Sequence, residues 1–345
     1  MIRFPSLGRV LVACAALAPA AARAQTSAPA AYHVASRWQV GGEGWWDYLE
    51  VDAATRRLFV SRGTHVMVVG LTDGSVVGDV PNTPGVHGIA LAPELDRGFT
   101  SNGGDSTVTI FALRTLAPIA TVHVTGRNPD AIVYDPATRR VFTFNGGSGD
   151  ATAIDAASGA VAGTIALNGR PEFAAADGRG RVFANIEDSS VVVAIDARTL
   201  RVVSRWPLAP CEHPSGMAID RAHERLFIGC HNRMMAVVNA RSGKVIATLP
   251  IGAGVDADRF DPGTGLAFAS CGDGTLTVVH EDAPDRYRVV QTVSTERGAR
   301  TMALDERTHV VYTVTARFGP PPPAGGPRRR PPMIPGSFTI LALAP

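Results

Sequence analysis

The chain lacks most of the signatures that would name a chemistry outright. It has no Cys-x-x-Cys pair, which removes the tight zinc knuckle, and no Cys-x-x-Cys-His, which removes covalent heme attachment. No Gly-x-Ser-x-Gly elbow occurs, so no serine stands in a recognisable nucleophile context. Asn102-Gly-Gly104 and Asn145-Gly-Gly-Ser-Gly149 are glycine-rich but precede no helical stretch, which argues against phosphate cradling. Charge of one sign is also missing. The 33 Lys+Arg and 31 Asp+Glu leave +2, and a nucleic-acid binder is not expected. Lysine is reduced to Lys244, with arginine supplying the other positive charges, a bias of composition that carries no functional reading. Beyond residue 24 no apolar run is long enough for a membrane helix.

The start of the chain reads as an export segment. Arg3 and Arg9 precede the apolar run Val10 to Ala22, and Ala22-Arg23-Ala24 offers a small-x-small cleavage site before Gln25. Losing Arg3, Arg9 and Arg23 with it takes the formal charge from +2 to about −1. The expectation is general secretion into a bacterial periplasm, with 1–24 as signal peptide, 25–31 as a flexible tail and 32–345 as one folded domain.

What is present is a repeat. Asp135-Pro-Ala-Thr-Arg-Arg-Val-Phe142 returns as Asp52-Ala-Ala-Thr-Arg-Arg-Leu-Phe59, Asp220-Arg-Ala-His-Glu-Arg-Leu-Phe227, Asp261-Pro-Gly-Thr-Gly-Leu-Ala-Phe268 and Asp305-Glu-Arg-Thr-His-Val-Val-Tyr312. Looser copies end at Phe99 and Phe183. The seven aromatic anchors are spaced 40, 43, 41, 44, 41 and 44 residues apart, the period of four-stranded propeller blades. Glycine and proline are plentiful, as turn-rich all-β chains require. The fold expected is an all-β, seven-bladed β-propeller. In the third unit the strands are read as 131–134, 140–144, 151–155 and 161–167. Tyr32 to Val40 and Ser337 to Leu343 are lone strands at the two ends, so the N-terminal strand is expected to complete the last blade and remove a sheet edge. A closed ring of this kind is expected to be a monomer.

The repeat resembles the YVTN-type, YncE-like seven-bladed propellers, whose signature tetrapeptide ends the second strand of each blade. The corresponding segments here are Phe99-Thr-Ser-Asn102, Phe142-Thr-Phe-Asn145, Phe183-Ala-Asn-Ile186, Phe227-Ile-Gly-Cys230, Phe268-Ala-Ser-Cys271 and Tyr312-Thr-Val-Thr315, with Ile154-Asp155 and Ile195-Asp196 as third-strand turns. The resemblance covers essentially the whole exported chain. It implies a fold and no shared catalytic motif. Cys230 and Cys271 depart from it where asparagine is favoured, as does the insertion 318–336 in blade seven, between second and third strands. Proline at that density is a loop or polyproline arm, and Arg328, Arg329 and Arg330 on it offer contacts to an anion.

Candidate chemistry gathers where each inner strand begins, since those starts surround a propeller's channel. For blades one to seven the residues are Asp47, His87, Asp130, Glu172, Ser215, Asp256 and Arg300, with His213 two residues before Ser215. Asp47, His87, Asp130 and Glu172 combine carboxylates with an imidazole and suit a hard or borderline divalent cation. The bland reading is a hydrated polar rim in which Arg300 neutralises Asp256 and Asp47. Trp45 and Trp46 either stack a planar ligand or pack between blades one and seven. His65, His123, His223, His280 and His309 are placed in turns or outer strands without a role. Cys211 is expected to reach Cys230 as a disulfide, leaving Cys271 reduced; the alternative is a soft-metal site of Cys211, His213, Cys230 and His231. Two functions follow: an exported module binding a small-molecule or protein ligand at the rim face, or a metal-dependent, lactonase-like hydrolase at the channel mouth.

Overall fold

The computed structural model describes residues 1–2, 31–320 and 331–345. The signal-peptide reading and the Arg328 to Arg330 arm lie outside the described residues. Seven four-stranded antiparallel sheets stand in a ring, with strands adjacent in chain order within each of blades one to six. The third blade is Pro129–Asp135, Arg140–Asn145, Asp150–Asp155 and Val161–Ala166, within two residues of expectation at every boundary. The seventh has the order His33–Gln39, Thr339–Ala344, Val310–Thr315, Met302–Asp305, so the N-terminal strand closes the ring.

The repeat phrase makes the first hairpin of each blade. The carboxylate of Asp52, Asp135, Asp220, Asp261 or Asp305 accepts backbone N–H groups two or three residues on, which fixes the turn. The residue just before every second strand then takes a left-handed backbone: Arg56, Asp96, Arg139, Gly180, Glu224, Gly265 and His309 all have φ between 52° and 103°. Outside glycine this costs about 1 to 2 kcal/mol per residue, which the side-chain bonds of the turn offset. The anchor aromatics three positions later are fully buried between blades. Truncating one to alanine would cost about 3 to 5 kcal/mol.

The hairpins also clasp neighbouring blades. Arg56 of blade one pairs with the buried Asp305 of blade seven, and His309 of blade seven donates to the buried Asp261 of blade six at 2.8 Å. His309 is therefore a structural residue rather than an idle surface histidine. His280 is likewise not in a turn or outer strand: it sits on the third strand of blade six, 2.9 Å from Asp282.

One buried acid breaks the apolar pattern. Asp258, on the inner strand of blade six, accepts the Gly229 N–H on one oxygen and has no partner on the other. Burial pushes its pKa to about 8, against opposing help from that hydrogen bond and from Arg259. A raised pKa contributes stability at low pH that is lost as pH rises through the folded value, about 1.4 kcal/mol per unit crossed. Asp258→Asn should therefore flatten the alkaline limb and exceed the parent protein in stability by a few kcal/mol at pH 9. Denaturant titrations from pH 5 to 9 check this; parallel profiles for the two proteins would show that Asp258 is not the group responsible.

Candidate functional site

The connector into blade one is held from below before it delivers any chemistry. Ser61 Oγ accepts the N–H groups of Asp47 and Tyr48, both at 3.0 Å. Beneath them Arg62 is fully buried, donating to the carbonyls of Gly44 and Gly41 and lying 3.7 Å over the Phe338 ring. Burial lowers its pKa to about 10, still charged at neutral pH. Trp46 packs on Phe338 at 5.1 Å and Trp45 stacks on Phe318 at 5.6 Å, so the tryptophan pair does pack between blades one and seven. The insertion's base is more ordered than a free arm: Phe318 bridges Met333, and Gly319 N–H donates to the Pro332 carbonyl at 2.8 Å.

On this support the rim brings three of its residues to one point. His87 Nδ1 lies 2.6 Å from Asp47 Oδ2 and 3.8 Å from Asp130 Oδ1. One ligand atom from each of Asp47, His87 and Asp130 falls within 4.8 Å of the others. Two ligands of one cation, each about 2.0 to 2.6 Å from it, stand no more than about 5 Å apart, so the cup fits an ion. Gly103 keeps it open, because a Cβ there would meet His87 Nε2 at 2.7 Å and Asn128 Oδ1 at 2.5 Å.

Electrostatics in the cup favours protons while no cation is bound. Burial first, then the neighbouring Asp47, pushes Asp130 to about 7, against the opposing charges of His87 and Arg170. Burial, then Asp130 and Glu187, pushes Glu172 to about 8. Burial works against the His87 imidazolium, but the Asp47 hydrogen bond and the surrounding carboxylates outweigh it and raise its pKa.

The remaining rim residues fall differently. Glu172 is not in the three-residue cluster; Arg170 pairs with it at 3.4 Å and with Glu187 at 3.2 Å, which places an arginine on the arc of blades one to four. That arginine precedes Pro171 in the connector, two residues before the aligned rim position Glu172. Arg300 sits 3.6 Å from Asp256, while no Arg300 pair with Asp47 is present among the described residues. His213 stands apart, stacked on His231 with ring centres 6.4 Å apart. Cys211 and Cys230 are bonded to each other, with Cα atoms 5.7 Å apart, so the soft-metal alternative has no thiolates to use.

The channel is not open from end to end. Immediately after the rim residues five blades carry Gly88, Ala131, Gly216, Ala257 and Thr301, but blades one and four carry Tyr48 and Phe173. These two blades are not neighbours, yet the rings stack at 5.1 Å and Tyr48 Oη donates to the Glu172 carbonyl at 3.3 Å. The contact must cross the axis, and it floors the rim cup.

No family model and no curated protein sequence matches the chain. Among solved structures it is similar to the hydrazine synthase of Kuenenia stuttgartiensis, with a TM-score of 0.70 at 15% identity over 79% of this chain and 93% of that one. It is also similar to U3-55K, with a TM-score of 0.74 at 8% identity over 90% and 99% of the respective chains. The chain is a seven-bladed β-propeller. At these identities the likeness is one of fold alone, and the YVTN-type resemblance rests on the repeat residues themselves.

Proposed function

We propose that this chain is an exported binding propeller that takes a divalent cation at Asp47, His87 and Asp130 and, beside it, an anionic small molecule or protein group. The observation that carries this reading is the convergence of the three ligand atoms within 4.8 Å. A pocket of about 180 Å³ adjoins the cup, lined by Trp45, Trp46, Asp47, His87 and Arg300, where the guanidinium can meet an anion held by the ion. The leader read from Arg3 to Ala24 supports export, and the Cys211 to Cys230 pair suits an oxidising compartment.

Titration of the metal-stripped protein with Zn²⁺ or Mn²⁺ tests the site. His87→Ala and Asp130→Asn should each weaken binding at least about tenfold, since loss of a ligand exceeds the loss of its supporting partner. Unchanged affinity in both, with loss in a His213→Ala, His231→Ala double variant, would move the site to blade five.

The hydrolase reading draws on a separate observation: Glu172, outside the three-residue cluster and raised to about 8, sits where proton transfer near neutral pH is efficient. A cation in the cup would activate water, with Glu172 moving the proton. Lactone hydrolysis by the metal-loaded protein, lost in Glu172→Gln while cation affinity is kept, would select this reading; absence of turnover in the loaded protein would leave binding as the function.

A further inference from the structure

Below the Tyr48 and Phe173 floor, the other half of the channel forms a separate cavity of about 430 Å³, to which all seven blades contribute. Its mouth lies among the first hairpins, on the face opposite the rim, where Pro93, Pro136, Arg221 and Glu306 are exposed. Its walls are apolar, including Ile89, Leu91, Val133, Ile219 and Phe260. Small apolar residues dominate one ring of equivalent inner-strand positions: Ala90, Val133, Ala175, Ala218 and Ala303. The same ring carries Glu50 from blade one and Arg259 from blade six. Charge is thus placed at two points of a ring that is otherwise small and apolar, the arrangement by which small-molecule pockets orient a ligand.

The hydrogen-bond ledger of these groups is incomplete in both signs. Among the described residues Glu50 accepts no hydrogen bond; its nearest cation there is Arg259 at 3.9 Å, and its side chain is 37% exposed. Burial, resisted by Arg259 and Arg221, pushes its pKa to about 7. Glu306 accepts none either, although Arg221 and Arg259 act on its charge. Arg221 spends only Nε, on the Ala176 carbonyl at 3.1 Å, so its terminal nitrogens remain as donors. Arg259 is used up by comparison: it donates to the Asp258 carbonyl at 3.0 Å and lies 5.5 Å from the Phe173 ring centre. Tyr134 already donates to Glu94, which removes that carboxylate from the account. Open acceptors and open donors therefore face one apolar-walled space.

We infer that this hairpin-face cavity is a second binding site, independent of the rim cup, for a small zwitterion with an apolar body, namely an amino acid. The ammonium goes to Glu50 and Glu306, the carboxylate to the free end of Arg221, and the side chain to the Ile, Leu, Val and Phe wall.

Calorimetric titration of the full exported chain with L-phenylalanine tests this, with phenethylamine and 3-phenylpropionate as analogues that each keep one charge. The expected result is one site for L-phenylalanine, at least about tenfold tighter than for either analogue. Arg221→Met, at the exposed mouth, should weaken it about tenfold, Ala175→Phe should abolish it by filling the cavity, and His87→Ala at the rim should leave it unchanged. The inference is overturned by no binding of L-phenylalanine at millimolar concentration, by an analogue binding as tightly, or by Arg221→Met binding as the parent does.

Discussion

Deleting residues 32–40 should lower the free energy of unfolding by several kcal/mol, enough to leave much of the protein unfolded at growth temperature. The deleted strand pairs along its length with Thr339–Ala344, the last inward neighbour in blade seven. The deletion also removes the residue just before that strand. Tyr32 is buried, meets Phe268 edge-on at 5.0 Å, donates to the His309 carbonyl at 2.7 Å and accepts Gln291 on its own carbonyl at 2.7 Å. Tyr32 thus wedges the last blade against the sixth. Trp38 adds a stacked contact on Tyr312 at 5.9 Å. Losing two such aromatics costs about 3 to 5 kcal/mol each in a well-packed core, and the exposed Thr339–Ala344 edge becomes a template for aggregation. Chemical denaturation of the deletion variant and of Tyr32→Ala measures this. Equal unfolding midpoints in parent and deletion would mean that ring closure is not what holds the propeller.

Removing the disulfide has the second largest expected effect. The bond between Cys211 and Cys230 closes a span of 19 residues, and in the chain-entropy view a loop of that size contributes about 3 kcal/mol. It joins the connector entering blade five to the end of that blade's second strand. In blades two and three the equivalent position is asparagine: Asn102 Nδ2 donates to Thr107 and Thr109, and Asn145 Nδ2 to Asp150 and Thr152. Blade five replaces those side-chain ties with a covalent one. Cys271, buried in blade six, has its thiol pushed up to about 12 by burial and by nearby Asp258, and should not react while the protein is folded. Cys211→Ser should lose about 3 kcal/mol, and alkylation of the native protein should modify none of Cys211, Cys230 and Cys271. Alkylation of Cys211 in the native, unreduced protein would show that the pair is not joined.

The blades were legible because their signals are local and recur: an aspartate-started hairpin, a left-handed residue, a buried aromatic, every 40 to 44 residues. The rim was legible in part, because an inner strand's first residue must face the channel mouth in any propeller. Arg170 escaped because it stands in a connector whose length differs between blades. Arg62 escaped because an arginine at the end of a strand reads as solvent-facing, and the carbonyls of Gly41 and Gly44 with the face of Phe338 make its burial tolerable. The channel floor and the hairpin-face cavity depend on contacts among blades one, four and six, residues more than eighty positions apart. A register comparison would have flagged them: Tyr48 and Phe173 are bulky where five blades carry Gly, Ala or Thr, and Glu50 and Arg259 are charged where five carry Ala or Val.

The rim cup is tested most directly by the protons it gives up. Cation ligands must be deprotonated, and here His87 is raised and Asp130 lies at about 7, so an ion entering at neutral pH displaces protons already held. Calorimetric titration of the metal-stripped protein with Zn²⁺ at pH 7, in two buffers of different ionisation enthalpy, reads affinity and proton count together. The expected result is an ion in the rim cup with net release of about one proton or more, the affinity falling at least about tenfold and the proton release shrinking in Asp130→Asn. No binding, or binding with no proton release that survives Asp130→Asn, would contradict it.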